Sequence, residues 1–375
     1  MQTPYYVYDT ALLSKTIDAI KAETNDCSNY HVHYAVKANT NPDIMRQIAA
    51  AGFGADCVSG GEIQAALDAG FPASEIVFAG VGKADWEIRL ALKAGIAMFN
   101  VESLEELEVI HDIATLLNLR ARVSFRINPD VAAHTHAHIT TGKAENKFGI
   151  AKEDMVRVVS EAKRMQRIDF VGLHFHIGSQ LLAMDDFSAL CKRINELQDE
   201  LEAKGFHAIN INVGGGLGID YEEPDKNPIP NFKAYFDTFK QGLKLRKGQN
   251  LHFELGRSLV AQMGSLITRI LYVKQAKVKK FAIVDAGFTD LIRPALYGAY
   301  HKVENLSAKA RNECATTLYD VVGPICESSD VFVTDYPLPI SRRGDIIALR
   351  SAGAYGEIMA SGYNCRPLPK GYTIE

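Results

Sequence analysis

The sequence contains no uninterrupted apolar run near the roughly 20 residues that a membrane-spanning helix needs. It has no cluster of basic residues either: 41 Lys and Arg stand against 45 Asp and Glu, a formal charge of −4. Nucleic acid is therefore a poor candidate partner, because phosphate binding leaves a concentrated basic footprint. Only six cysteines occur, at positions 27, 57, 191, 314, 326 and 365, and none forms a CxxC pair. Such scatter supports neither a zinc site nor a disulfide framework. The opening MQTPYYVYDT lacks the basic and apolar regions of a signal peptide. Long repeats and low-complexity tracts are missing, and the lone tryptophan, Trp86, is read as packing. The expectation is a soluble, cytoplasmic protein with no metal, no membrane and no nucleic-acid partner.

What is present is alternation. Eight short apolar runs, at 30–37, 54–58, 76–80, 97–101, 121–128, 170–178, 208–216 and 251–256, are separated by helical patterns. These helices are expected near 41–51, 60–69, 84–94, 103–117, 152–166, 187–204 and 231–246. In the helix over 187–204, Leu190, Ile194, Leu197 and Leu201 recur on one face. Ser59 with Glu62, and Ser103 with Glu106, have capping-box spacing. Eight strands separated by helices predict an α/β fold, a (β/α)8 barrel over residues 5–258, with a doubly wound open sheet as the runner-up. From 259 to 375 the texture becomes short β-branched or alternating runs: SLITRILYVKQ, KKFAIVDAG, TTLYDVVG, VFVTDYPL, GDIIALR and YGEIMAS. Only 304–313 looks helical there. This predicts a second, mostly β domain, joined by residues 1–4.

Barrels of this kind collect chemistry at the carboxyl ends of their strands. Those ends read Lys37, Asp56, Asn100, Arg126, His174 with His176, the glycines 214–216, and Glu254 with Arg257. A lysine where a strand leaves the core costs desolvation unless its amine is used. The run NVGGGLG fails the dinucleotide pattern, since the third glycine position is Ile219. It suits a phosphate held by backbone N–H groups, with Arg257 as a charged donor. His174 and His176 face the same side of their strand; with no carboxylate or cysteine at ligand spacing, a ring stacked on a planar ligand is preferred to a metal. Metal binding by HTHAH (134–138) is likewise disfavoured. Lysine, phosphate cradle, histidine and carboxylate together point to pyridoxal phosphate, which attaches to a lysine amine and needs a charge partner for its pyridine nitrogen.

YAVKAN, LHFHIGSQ, NVGGGLG, ELGR, DAGFTDLIRPALYGAYH, VGPICESSD and GAYG resemble the fold-type III pyridoxal-phosphate decarboxylases, within them the branch acting on diaminopimelate, from Thr3 to about Asn364. The resemblance implies an alanine-racemase-like barrel with a β domain, and decarboxylation of meso-diaminopimelate to L-lysine in lysine biosynthesis. It implies Lys37 as the cofactor lysine, His176 as the stacking ring and Ser179 beside the cofactor. Gly215 and Gly216 match the phosphate loop, Glu254 the pyridine-nitrogen partner, and Gly256 and Arg257 the end of that segment. Arg257, Arg293 and Tyr297 are implied at the substrate carboxylate and Glu327 at its distal amine. Cys326 is implied as the catalytic acid, and Tyr355 at cofactor and substrate. A homodimer sharing each active site across its interface is also implied.

Three departures stand out: Leu255 where the family has proline, Gly362 where asparagine is expected, and short termini. The termini predict a β domain that lacks its usual N-terminal strand. The rival readings are a decarboxylase of the same fold acting on ornithine, arginine or a carboxylated polyamine such as carboxynorspermidine, a racemase, and a non-catalytic cofactor-binding homologue.

Overall fold

The computed structural model describes residues 1–131 and 147–375; HTHAH lies outside the described residues. Contacts divide the chain into two compact units. One comprises residues 17–218 and 231–256, the other residues 1–16, 219–230 and 257–375.

In chain order the first elements are β1 (Tyr5–Asp9), α1 (Thr10–Thr24), β2 (Tyr30–Ala35), α2 (Pro42–Ala50), β3 (Gly54–Cys57), α3 (Gly60–Asp68) and β4 (Ile76–Phe78). They are followed by α4 (Asp85–Ala94), β5 (Met98–Val101), α5 (Leu104–Leu117), β6 (Ala121–Asn128), a two-residue β7 (Ile150–Ala151), α6 (Met155–Arg164) and β8 (Ile168–His174). Then come α7 (Met184–Ala203), β9 (Asn210–Asn212), α8 (Phe232–Gly242) and β10 (Asn250–Leu255). Parallel pairing runs β5-β4-β3-β2-β10-β9-β8-β6, and β6 pairs back onto β5, so eight strands close into a barrel. All eight expected strands are present, and closure excludes the open sheet. Strands β3, β5 and β9 are buried at every residue, as parallel strands covered by helices must be.

Local chemistry sets the helix starts. The Ser59 and Ser103 hydroxyls accept from the backbone N–H of Glu62 and Glu106 at 3.2 and 3.1 Å. The returning carboxylates accept from Val58 and Glu102, the residues before the caps, at 2.7 and 2.8 Å. The predicted stripe on α7 is buried, and Phe187 of that helix meets Tyr235 of α8 edge-on at 5.0 Å.

The second unit begins with β1 and continues with α9 (Arg257–Val260), β11 (Gly264–Gln275), β12 (Lys280–Val284), α10 (Arg293–Tyr297), β13 (Val303–Asn305) and α11 (Leu306–Ala310). It ends with β14 (Thr316–Val322), β15 (Val331–Pro339), β16 (Ile346–Leu349) and β17 (Lys370–Ile374). The sheet order is β13-β16-β11-β12-β14-β15, with β1 antiparallel to β11 and parallel to β17. The strand expected to be missing is therefore present. Tyr6 and Tyr8 alternate inward, and their hydroxyls donate to the Asp290 carbonyl at 2.6 Å and to Glu357 at 2.5 Å.

The compact units thus differ from boundaries at 5–258 and 259–375 in three places, the smallest being Arg257 and Ser258, which fall in the second unit. β1 belongs with the sheet, and residues 219–230 leave the barrel unit and rejoin it at 231. YGEIMAS is a turn rather than a strand, because Tyr355 takes φ +57° and Glu357–Met359 form a single 3-10 turn. Helix α1 was not foreseen.

Candidate active site

In the barrel unit, Lys37 sits in the turn immediately after β2, with Nζ 3.8 Å from the Asp56 carboxylate at the end of β3. The centre of this rim is Glu254. Its Oε1 accepts from the side-chain amides of Asn212 at 2.7 Å and Asn100 at 3.2 Å, and its Oε2 meets His174 Nε2 at 3.2 Å. These contacts occupy three of the carboxylate's roughly four lone-pair sites, which leaves Oε2 one acceptor position. Burial alone would raise the Glu254 carboxyl, but the His174 charge and hydrogen bond, helped by Lys37, hold it well below the usual carboxylate range. Burial and the Glu254 charge push the neighbouring Asp56 carboxyl well above that range, against the pull of Lys37. The rim therefore holds an anion at Glu254.

The glycine run meets the same residue. Gly214 and Gly216 have φ of +68° and +105°, where a side chain would be strained. A Cβ on Gly215 would overlap the Glu254 carbonyl oxygen, and one on Gly214 would lie 2.8 Å from the His176 ring. Asn212 ties loop to carboxylate, since its Oδ1 accepts from the Gly214 N–H at 2.9 Å while its amide donates to Glu254. Burial, with the Arg126 and Lys37 charges, drives the His176 imidazole well below its ordinary pKa, so it presents a neutral ring. Ser179 is half-buried just beyond, after Gly178. Arg126 donates to Glu102 at 3.0 Å, and Glu102 also accepts from the N–H groups of Gly80 and Gly149 at 3.2 and 3.0 Å. Asp56 Oδ1, Asn100 Oδ1 and His174 Nδ1 are buried polar atoms with no partner among the described residues. An amine at a strand end, a side-chain-free backbone cradle, a neutral ring and a fixed carboxylate with one open acceptor position fit pyridoxal phosphate.

The second unit holds a different cluster. Arg257 in α9 and Arg293 in α10 are both buried, and each directs Nη1 at the Tyr221 hydroxyl oxygen, at 2.6 and 3.0 Å. Their guanidiniums lie over the Tyr221 ring, and that of Arg257 lies 5.1 Å from the centre of the Tyr355 ring. Arg293 Nη1 also donates to His301 Nε2 at 3.0 Å. Burial and the adjacent Arg257 charge lower the Arg293 pKa. Tyr297 ends α10 and is exposed.

Cys326 and Glu327 lie in the loop joining β14 to β15, and both are exposed. Asp330 folds that loop, accepting from the N–H groups of Ile325 at 2.7 Å and Phe288 at 2.6 Å. Glu327 accepts from the Tyr363 hydroxyl at 2.7 Å.

The barrel unit thus brings together Lys37, His176, Gly215, Gly216 and Glu254, with Gly256 one residue beyond the end of β10. The second unit brings together Arg257, Arg293 and Tyr355, and holds the Cys326–Glu327 pair on a loop of its own. Asn212, Tyr221 and His301 were not foreseen. Asn212 had a signal, since it shares a strand face with Asn210 just before the glycines. Tyr221 had none in spacing or composition.

Among the described residues, no group of three or more His, Cys, Asp and Glu side chains is placed to hold a metal ion, and no helix is long and apolar enough to cross a membrane. Residues 13–261 match the family model of the pyridoxal-dependent decarboxylase, pyridoxal binding domain. The chain is 64% identical over 375 residues to the diaminopimelate decarboxylase of Bacteroides thetaiotaomicron, covering all of this chain and 96% of that one. The crystal structure of diaminopimelate decarboxylase from Helicobacter pylori complexed with L-lysine aligns with a TM-score of 0.93 at 40% identity, covering 100% of this chain and 92% of the other. An arginine decarboxylase from Paramecium bursaria Chlorella virus, at 21% identity and a TM-score of 0.87 with 100% and 96% coverage, shares the fold.

Proposed function

The chain belongs to the diaminopimelate decarboxylases, pyridoxal-dependent lyases, and on that premise we propose how its residues convert meso-diaminopimelate to L-lysine and CO2. Bound pyridoxal phosphate supplies the electron sink for the charge left on carbon when CO2 departs. Lys37 holds the cofactor through its amine. The N–H groups around Gly215 and Gly216 take the phosphate, with Ser179, Gly256 and Arg257 beside it, and the neutral His176 ring stacks on the pyridine. Glu254 keeps the pyridine nitrogen protonated; the carboxylate's depressed pKa and its open acceptor position are the observation that carries this assignment.

Arg257, Arg293, Tyr297 and Tyr355 take the carboxylate that the product retains, and Glu327 takes the ammonium on the same carbon. Cys326 delivers a proton to the carbon that lost CO2. A site whose polar groups expect that far end rejects an analogue lacking it by ~10^4–10^5-fold. The protein acts as a homodimer in the cytoplasm, with Cys326 and Glu327 serving the partner's site. Their exposure in the single chain supports the first part, and six unpaired cysteine thiols the second.

CO2 release from meso-diaminopimelate, L-ornithine and L-arginine by the purified protein with cofactor tests the activity. Release only from ornithine or arginine would overturn it. Mixing inactive Lys37→Ala and Cys326→Ala subunits tests the shared site, because exchange should restore up to about a quarter of the activity if each site draws on both chains.

A further inference from the structure

We infer that Tyr221 and His301 are positioning residues that set the paired arginines to receive a carboxylate, and so govern selection of substrates that carry one. The inference rests on the reading of Arg257 and Arg293 given above, and extends it to two side chains with no other assigned role.

The geometry begins with hydrogen counting. Arg293 Nη1 carries two hydrogens. One goes to the Tyr221 oxygen at 3.0 Å and the other to His301 Nε2 at 3.0 Å. With Nη1 consumed by two neutral acceptors, the Nε–H and Nη2–H edge remains, which is the fork that matches a carboxylate bidentately.

His301 is held in the form this requires. Its Nδ1 lies 2.9 Å from the Arg350 carbonyl, which only accepts, so Nδ1 carries the proton and Nε2 presents a lone pair. Burial and the Arg293 charge drive its pKa down to about 3, so it stays a neutral acceptor at working pH. Tyr221 does the harder task. Two buried guanidiniums repel each other, and a single phenol oxygen accepts from both, at 2.6 and 3.0 Å. Its ring also meets the His301 ring edge-on at 5.3 Å.

Arg350 links the two supports. Its carbonyl fixes the His301 tautomer, while its guanidinium pairs with Asp225 and Glu304, each at 2.7 Å. Asp225 lies on the same 219–230 segment as Tyr221, so one residue orders both acceptors. A segment that leaves the barrel unit in mid-sequence thereby acquires a purpose, which is to carry Tyr221 to the arginines.

The test compares ligands that differ in the carboxylate. Tyr221→Phe keeps the ring and removes the oxygen; His301→Leu removes the acceptor, and His301→Gln returns an amide oxygen to it. Each holoprotein is titrated with L-lysine and with cadaverine, which has both amines and no carboxylate, following the absorbance of the bound cofactor. KM and kcat for meso-diaminopimelate are measured alongside.

Tyr221→Phe should weaken lysine binding and raise KM by a common factor of ~10–100, with cadaverine binding and kcat within about two-fold. His301→Leu should do the same by ~10-fold, and His301→Gln should recover most of it. Unchanged lysine affinity in both Tyr221→Phe and His301→Leu, or equal weakening of lysine and cadaverine, would overturn the inference. A wild-type protein that releases no CO2 from diaminopimelate would instead overturn the substrate assignment, and the lysine-to-cadaverine ratio would still decide the roles of Tyr221 and His301.

Discussion

The barrel rim and the arginine cluster solve opposite electrostatic problems. In the barrel unit a buried anion, Glu254, is surrounded by side-chain amides, a histidine and the nearby lysine, which together hold it charged. In the second unit two buried cations are gathered by neutral oxygen and nitrogen acceptors, and Arg293 feels Arg257 as a destabilising neighbour. The first arrangement is complete within the protein and ready to hold a proton on a ligand. The second concentrates positive charge at a place that suits an incoming anion. A buried charge is tolerated when its partners are built in, or when a ligand supplies them.

This contrast can be broken from either side. The largest effect is expected from Lys37→Ala, which should abolish the absorbance of the lysine-bound cofactor and all turnover. Glu254→Gln comes next. It should keep the cofactor absorbance and lower kcat by ~10^2–10^3-fold, because an amide cannot hold the pyridine nitrogen protonated. A kcat within two-fold of wild type would remove Glu254 from its role. Cys326→Ala should likewise keep the absorbance and lose most of its turnover, measured as CO2 release.

Asn212→Leu is a smaller perturbation that joins the anion and the cradle. It strands the Gly214 N–H and one Glu254 contact, so unfolding in denaturant should show a loss of about 1–3 kcal/mol together with weaker cofactor binding. The last effect, confined to acid pH, is the limb of stability contributed by His301. Its folded pKa of about 3 lies below the ordinary histidine value of 6.5, so the unfolded chain binds the extra proton first. Stability is therefore full above about pH 6.5 and falls as pH drops toward 3, with a slope of about 1.4 kcal/mol per pH unit for that proton. His301→Gln should make the acid limb shallower by up to one proton, read from denaturant midpoints across pH. An unchanged limb would show that other buried histidines, such as His33 and His252, account for it.

Much of the barrel was legible because its signals are local. Apolar runs of strand length, amphipathic helices and serine caps each depend on residues within a turn or two, and they placed eight strands and seven helices correctly. Closure was not legible in that pattern, which an open sheet covered by helices shares; the pairing of β6 with β5 decided it. Tyr5–Asp9 was misjudged because a five-residue strand carries no partner information: YYVYD reads as well before a barrel as within a sheet. YGEIMAS failed for the converse reason, since its β-like composition is overridden by a left-handed Tyr355.

The sequence by itself determined the barrel's strands and helices, the polar residues at the strand ends, and the glycine run, whose freedom at Gly214 and Gly216 no other residue matches. Only the tertiary structure decided that Asn212 joins Glu254 to Gly214, and that Tyr221 and His301 meet Arg293. Tyr221 and Arg293 are 72 positions apart in the chain, and nothing in spacing or periodicity anticipates their meeting. Periodicity reports which face of an element is buried; which distant side chains share that burial depends on long-range packing, where one phenol oxygen between two guanidiniums is a matter of ångströms.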